Sequence, residues 1–220
     1  DMPDLFKTQL RAILRSAVHG EAQILLPMIS GVEEVRQARV QIAETVAELE
    51  AEGVAHRPCK VGAMIEVPSA AITAEQLAGE VDFFSLGTND LVQYTLAVDR
   101  GTARVAGLYQ PLHPAVLRLI KQVTDAGRKA GIPTSICGEM AADPTAALVL
   151  MGLGVRLLSV SPSQIPEVKE VVRATPIRQA EDLVEQCLGL TSGEAVRELV
   201  ETKMAGALAA ARPPREEDRP

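Results

Sequence analysis

Five short apolar runs alternate with longer segments of helical periodicity along this 220-residue chain, and this alternation limits the fold more than any other feature. We predict strands at residues 23–29, 61–67, 82–86, 133–137 and 156–160. Strands separated by helices pair in parallel, because the helix carries the chain back to the starting edge of the sheet. The runs are apolar throughout rather than alternating, which is typical of strands buried on both faces. The predicted fold class is therefore α/β with a parallel sheet.

Helical segments separate and follow these strands. Apolar spacing predicts helices over residues 4–18, about 30–53, 68–79, 114–130, 144–152, 163–173, 177–188 and 192–211. Ser30 with Glu33, and Thr191 with Glu194, match the capping-box pattern, in which a hydroxyl and a carboxylate three residues apart close the first turn of a helix. Residues 91–99 are predicted as a loop or a short helix.

Composition excludes several classes of protein. The net charge of −7 and the lack of a basic run argue against a dedicated nucleic-acid-binding protein. No uncharged apolar stretch reaches the roughly 20 residues that a membrane span requires, and the first residues do not form a signal peptide. Three widely spaced cysteines, Cys59, Cys137 and Cys187, form neither a disulfide framework nor a zinc cluster. Because reduced thiols are the default inside cells, we expect a cytoplasmic protein.

Polar residues stand at the carboxyl ends of the predicted strands. Glu66 ends the second strand, Asn89 and Asp90 follow the third, and Cys137 ends the fourth. A (β/α)₈ barrel builds its active site at this end of its strands. Glu66 and Asp90 are hard oxygen ligands of the kind that Mg²⁺ takes together with water and phosphate oxygens. Asn89 and Arg100 can bind phosphate or carboxylate, and Cys137 can deliver a proton.

Each of these residues also has a structural interpretation when it is taken singly. Glu66 can serve the N-terminus of the following helix, and Asn89 with Asp90 can form an ordinary turn. Arg100 can belong to a solvated ion pair, and Cys137 can be a packing residue. Their shared position at strand ends is what favours a common site.

Several long motifs resemble enzyme I of the bacterial phosphoenolpyruvate:sugar phosphotransferase system, the phosphoenolpyruvate-protein phosphotransferase family. The longest is Asp-Phe-Phe-Ser-Leu-Gly-Thr-Asn-Asp-Leu-Val-Gln-Tyr-Thr-Leu-Ala-Val-Asp-Arg at residues 82–100. Shorter matches lie at residues 64–68, 108–121, 137–140 and 165–169. The resemblance covers roughly residues 5–190. Pyruvate phosphate dikinase and phosphoenolpyruvate synthase share the barrel and the Gly-Thr-Asn-Asp type of motif, but residues 94–100 look more like enzyme I.

The resemblance implies a role for each of the polar residues. Glu66 and Asp90 would be the Mg²⁺ ligands. Asn89 and Arg100 would contact phosphoenolpyruvate, and Cys137 would be the acid that protonates the enolate at C3 as pyruvate forms. Mg²⁺ and arginine would neutralise charge in a loose phosphoryl-transfer transition state.

The resemblance also implies a (β/α)₈ barrel of TIM type, of which this chain carries part. A whole barrel needs eight strands and about 250 residues, whereas five strands are predicted here. We therefore expect about the last five βα units with C-terminal helices. The phosphoenolpyruvate-binding barrel domain would span residues 1–190, a C-terminal helix 191–211 and a disordered tail 212–220. Open sheet edges invite pairing, so we expect the segment alone to fold poorly or to rest on a partner.

Members of this family carry further parts that are expected to lie outside this sequence. A histidine on a swivelling domain receives the phosphoryl group, and a helical domain binds the carrier protein HPr, which continues the pathway of sugar uptake. The family also implies a homodimer formed through this C-terminal region. Alone, the chain is expected to be incomplete or inactive. Two alternatives stay open: a fragment of a dikinase or synthase, and a non-catalytic regulatory or assembly module.

Overall fold

A computed structural model describes residues 2–102 and 104–211 of the chain. Within them the strands are β1 (Gln23–Leu26), β2 (Lys60–Ile65), β3 (Phe83–Gly87), β4 (Thr134–Cys137) and β5 (Leu157–Leu158). The α-helices there are α1 (Pro3–Ser16), α2 (Val32–Ala51), α3 (Pro68–Ile72), α4 (Ala74–Ala78), α5 (Thr88–Leu96), α6 (Pro114–Ala130), α7 (Pro144–Gly152), α8 (Ile165–Ala174), α9 (Ile177–Leu188) and α10 (Gly193–Ala211). The predicted tail at residues 212–220 lies outside the described residues.

The strands form one parallel sheet in sequential order, from β1 at one edge to β5 at the other. Each crossover therefore moves in the same direction along the sheet, and right-handed crossovers then place the connecting helices on one face. A doubly wound sheet would instead reverse direction and carry helices on both faces. The predicted α/β class and partial barrel are confirmed.

The two faces of the sheet differ in burial. The outer face is covered by helices and consists of almost fully buried apolar side chains: Ile24, Leu26, Val61, Ala63, Ile65, Phe84, Leu86 and Ile136. The opposite face, which we call the inner face, carries Ser85, Ser135 and Cys137 among others, and several of its residues are half-buried. The apolar runs predict burial on both faces. The structure confirms this for the outer face, whereas several residues of the inner face are only half-buried.

Helix α6 shows how local sequence determines the bounds of an element. The structure has it at the predicted residues, 114–130. His113 caps its start, where Nδ1 accepts a hydrogen bond from the Ala115 amide at 3.1 Å. Pro114 occupies the first turn, and Gly131 follows the last. The helix packs against β3 and β4 and so supports two neighbouring strands.

The two predicted capping boxes are each wrong by one residue. Glu34, not Glu33, accepts hydrogen bonds from the backbone amide and the hydroxyl of Ser30. At the start of α10 the capping oxygen belongs to Ser192, not Thr191. In both places the sequence offers two adjacent residues of suitable chemistry, and the position at which the helix begins decides between them.

Helices α7 and α9 approach so closely that a side chain does not fit at the end of α7. A Cβ at Gly152 would lie 2.2 Å from the carbonyl oxygen of Ala180 and 2.6 Å from Cγ2 of Val184. Because the first of these atoms is backbone, the helices would have to separate. We expect Gly152→Ala to lower the free energy of unfolding by about 3 kcal/mol, measured by urea denaturation. Gly206→Ala is the matched control, since nothing lies within 4 Å of that Cβ, and equal stability of the two variants would contradict this account.

Helix α10 packs against three other helices of the described chain. Val196 and Val200 are fully buried, and the helix contacts α7, α8 and α9. The predicted domain boundary at residue 190 stays a prediction. Among the described residues, no helix combines the length and the apolar character needed to cross a membrane.

Candidate active site

The carboxyl ends of β2, β3 and β4 bring most of the predicted site residues to one edge of the sheet. Strand register pairs Ile65 with Leu86 and Gly87 with Cys137. Glu66, one residue past β2, therefore lies in the same row as Gly87 and Cys137. Because parallel strands all end on one side, this row marks a single edge of the inner face.

Helix α5 adds two more of the predicted residues at this edge. Residues 91–99 are predicted as a loop or a short helix, whereas the structure has helix α5 starting at Thr88, directly after β3. Asn89 and Asp90 therefore fall in its first turn. An acidic side chain is stabilised there by the helix dipole. The helix N-terminus consequently meets the strand ends that carry Glu66 and Cys137.

Glu66 is a buried carboxylate that two strands position. The residue is only 4% exposed, and its Oε1 accepts a hydrogen bond from the Met28 amide at 2.7 Å. Met28 follows β1 and has a φ of 55°, a left-handed conformation that is unfavourable for a residue with a side chain. That conformation accompanies an N–H group aimed at the carboxylate, so the end of β1 helps to orient Glu66.

The carboxylate of Glu66 lies directly over Gly87. A Cβ at Gly87 would be 2.5 Å from Oε2 of Glu66, so a larger residue there would displace the acid. Burial raises the pKa of Glu66, the Met28 amide lowers it, and the negative charge of Asp90 raises it. The two carboxylates thus repel each other across the edge of the sheet, and a bound cation would remove that repulsion.

The donor set at this edge fits a magnesium ion. In the part of the chain that the structure describes, the Met28 amide is the hydrogen-bond donor to Glu66, and no lysine or arginine pairs with Glu66 or Asp90. No group of three or more His, Cys, Asp or Glu side chains within residues 2–102 and 104–211 could hold a metal. The protein would therefore supply two carboxylates and leave the other positions to water and ligand oxygens, as is usual for Mg²⁺.

Asn89 and Arg100 are linked through the loop that follows β4. Oδ1 of Asn89 accepts a hydrogen bond from the Glu139 amide at 3.1 Å, which leaves the Nδ2 amide group directed elsewhere and able to donate to an anion. Nη1 of Arg100 lies 3.9 Å from Oε1 of Glu139. The two side chains are 43% and 84% exposed, so this ion pair is weak and leaves the guanidinium available.

Tyr109 is a residue of this edge that the sequence analysis did not single out. Its hydroxyl donates to the carbonyl oxygen of Asn89 at 3.4 Å. Burial raises the pKa of Tyr109, and the charges of Arg100, Glu139 and Asp90 also act on it. Its position in the family-like motif at residues 108–121 could have identified it. A single tyrosine in a loop does not by itself indicate a functional site.

Cys137 lines a cavity of about 440 Å³ together with Asn89 and Glu139. Its sulfur lies 3.5 Å from the carbonyl oxygen of Leu86, to which the thiol can donate. The hydroxyl of Ser85 lies 3.6 Å from the same sulfur and can donate to it. A thiol that borders a cavity in this way can deliver a proton to a molecule bound there.

The other two cysteines lie away from this edge. Cys187 is buried in α9, and burial raises its pKa to about 11. Cys59 precedes β2 and so stands at the opposite end of that strand from Glu66; burial raises its pKa as well. All three cysteines are free.

Comparison with known proteins supports the family that the motifs suggest. A family model described as PEP-utilising enzyme, PEP-binding domain, matches residues 1–177. Among curated relatives, the phosphoenolpyruvate-protein phosphotransferase of Listeria monocytogenes is 47% identical over 199 residues. That of Haemophilus influenzae is 44% identical over 202 residues. These alignments cover 90% and 91% of this chain but only 35% of each relative.

A solved structure has the same fold. The crystal structure of a citrate lyase from Burkholderia xenovorans superposes with a TM-score of 0.55 and 23% sequence identity, covering 96% of this chain and 71% of that one. This likeness concerns the fold alone. The family model matches most of the chain, and nearly half of the aligned residues are identical to those of phosphoenolpyruvate-protein phosphotransferases, so the chain belongs to the family of PEP-utilising enzymes.

Proposed function

We propose that the chain is the phosphoenolpyruvate-binding part of a phosphoenolpyruvate-protein phosphotransferase of the enzyme I type. The observation that carries this proposal is the meeting of a buried acid, Glu66, with Asn89, Asp90 and Cys137 at one edge of the sheet. The names of the relatives favour this enzyme over a dikinase or synthase. The reaction transfers the phosphoryl group of phosphoenolpyruvate to a histidine on another domain and then to HPr, and it releases pyruvate.

In this proposal the carboxylates of Glu66 and Asp90 hold Mg²⁺. The ion, when bound, neutralises negative charge on the phosphoryl group during transfer. Asn89 donates its Nδ2 amide group to the substrate, and Arg100 binds a phosphate or carboxylate of the substrate through its guanidinium. Because these groups come from a strand end, a helix and a turn, they would contact a small anion from several sides.

Cys137 is the proton donor of the proposed reaction. Removal of the phosphoryl group leaves the enolate of pyruvate, which needs a proton at C3. The thiol of Cys137 borders the cavity next to Asn89, so it is available to a molecule bound there. Proton transfer breaks the S–H bond, forms a C3–H bond and leaves a thiolate on the protein.

Further parts of the proposal concern partners and organisation. The phosphoryl-accepting histidine and the surface that binds HPr belong to other domains of the enzyme. The enzyme works in the cytoplasm, in sugar uptake, as a homodimer joined through this C-terminal region. Within the chain, residues 1–190 form the barrel domain and residues 191–211 a C-terminal helix.

Transfer of radiolabel from phosphoenolpyruvate tests the proposal. The complete protein that carries this sequence, incubated with Mg²⁺ and phosphoenolpyruvate labelled in its phosphoryl group, is expected to label purified HPr and to release pyruvate in equal amount. Chelation of the metal with EDTA should stop both. Formation of phosphoenolpyruvate from pyruvate and ATP, without HPr, would point instead to a dikinase or synthase. Absence of turnover in both assays would favour a non-catalytic module.

A further inference from the structure

Ser85 is a buried hydroxyl on the inner face, and it faces the sulfur of Cys137 from the neighbouring strand. The residue is 6% exposed, and its Oγ lies 3.6 Å from Sγ of Cys137. In the strand register Ser85 pairs with Ser135, and Cys137 lies two residues further along the same face of β4. Ser85 is not among the residues that line the cavity in front of Cys137. Within that cavity, it would therefore act on a bound molecule through the thiol.

We propose that Ser85 is a positioning residue that holds the Cys137 sulfur and stabilises the thiolate that remains after proton transfer. The contact between Ser85 and Cys137 follows from the register of β3 and β4, whereas its role in catalysis rests on the proposed function. The same contact would keep the sulfur at the border of the cavity in both protonation states.

The sulfur loses one of its two hydrogen-bond roles during the reaction. As a thiol, Cys137 donates to the carbonyl oxygen of Leu86 at 3.5 Å and can accept from the hydroxyl of Ser85 at 3.6 Å. Once the S–H proton has moved to C3, the bonding electron pair stays on sulfur, and the sulfur can only accept. The hydroxyl of Ser85 continues to donate to it, and this hydrogen bond becomes stronger because a charged acceptor binds a donor more strongly than a neutral one. No proton leaves Ser85 in this step.

The charges at this edge disfavour a thiolate, so a neutral hydrogen-bond donor to the sulfur would stabilise it. Glu66, Asp90 and Glu139 are acidic and disfavour a further negative charge nearby, while Arg100 brings a cation to this edge. Its partner is Glu139, which reduces the positive charge that a thiolate would meet. A hydroxyl supplied from the buried strand offsets part of that cost without adding charge to the substrate cavity.

Alkylation of Cys137 by iodoacetamide, measured at a fixed mildly alkaline pH, tests the inference. Mass spectrometry of the peptide that carries Cys137 separates this thiol from the other two. Because only the thiolate reacts, Ser85→Ala is expected to slow alkylation by about threefold to tenfold. Ser85→Thr keeps the hydroxyl and should restore the rate. Ser135→Ala is the matched control, since its hydroxyl donates to the Phe84 carbonyl at 3.1 Å and not to sulfur, and it should react like the parent.

The sign of the effect separates this role from a merely structural one. A variant that only loosened the strands would expose the thiol and react faster, so an unchanged or increased rate in Ser85→Ala would overturn the inference. Failure of Ser85→Thr to restore the rate would overturn it too, because the effect could not then be assigned to the hydroxyl. The alkylation rate does not depend on turnover. If the labelling assay showed no phosphoryl transfer, the alkylation result would still demonstrate the contact between Ser85 and Cys137, but the contact would have no role in catalysis.

Discussion

Glu66→Gln is expected to weaken the Mg²⁺-dependent binding of phosphoenolpyruvate by at least about a hundredfold. The amide keeps the shape of the side chain and an acceptor for the Met28 amide, but it removes the negative charge that a hard divalent ion requires. Asp90→Asn should have a similar effect, because it removes the second carboxylate. Isothermal titration of phosphoenolpyruvate into the protein, with Mg²⁺ and with EDTA, measures the difference.

The control for this experiment is another acid replaced in the same way. Glu75 lies on α4, is 61% exposed and pairs with Lys129 on the outer layer of helices. Glu75→Gln removes the same charge from the chain without touching the strand ends, so it should bind like the parent. Equal binding by the parent, Glu66→Gln and Asp90→Asn would remove the metal assignment altogether.

The same substitution is expected to make the metal-free protein more stable at neutral pH. Burial raises the pKa of Glu66, so folding favours the protonated acid. Below the ordinary pKa of glutamate, Glu66 is protonated in both the folded and the unfolded protein, so its burial costs no charge. As the pH rises from there through the raised pKa of the folded state, the folded protein must bury a charged carboxylate, and the free energy of unfolding falls. The advantage of Glu66→Gln should therefore vanish in acid, as thermal melts over a range of pH would show. Added Mg²⁺ should reverse the order at neutral pH by stabilising the parent.

Cys137→Ala is expected to slow the formation of pyruvate by the complete protein about a hundredfold, because a positioned general acid contributes on that scale. The KM for phosphoenolpyruvate should change little, since the carboxylates and the amide of Asn89 remain in place. Coupling pyruvate release to lactate dehydrogenase measures both constants.

A second cysteine provides the control for this variant. Cys59 stands before β2, at the end of the sheet opposite to the proposed site. Cys59→Ser should turn over like the parent. Unchanged turnover in Cys137→Ala would reject the role of proton donor, whatever the metal experiments show.

The fold was predictable where local chemistry and apolar spacing agree. For α6, a capping residue, a proline in the first turn and a final glycine define the same bounds that the buried stripe indicates. For β5 they do not agree. The apolar run predicts residues 156–160, but the strand covers only Leu157–Leu158. Its length depends on its one neighbour, β4, which is itself short, and strand pairing cannot be read from the run alone.

For the candidate site, the grouping of its residues was predictable to the extent that strand ends converge. Glu66, Asn89, Asp90 and Cys137 could be grouped, because the carboxyl ends of parallel strands share one edge. The groups that orient these side chains could not be predicted from the sequence. The Met28 amide reaches Glu66 across 38 residues of sequence through a left-handed backbone, and the Ser85 contact to sulfur spans 52 residues and depends on strand register. A methionine gives no sign of the left-handed backbone at residue 28, and the residue types of Ser85 and Cys137 do not show that strand register brings them together.

Within the described sheet, each strand pairs only with strands that are adjacent to it in the chain, so β1 pairs with β2 and β5 with β4. A ribosome releases these units in that same order, so each one can dock on the edge left by its predecessor, and none must wait for a partner made much later. Both carboxylates have been synthesised once the third strand and the first turn of its helix are complete. The thiol of Cys137 follows with the fourth strand, so the order of synthesis allows the two acids to come together before the proposed proton donor is present.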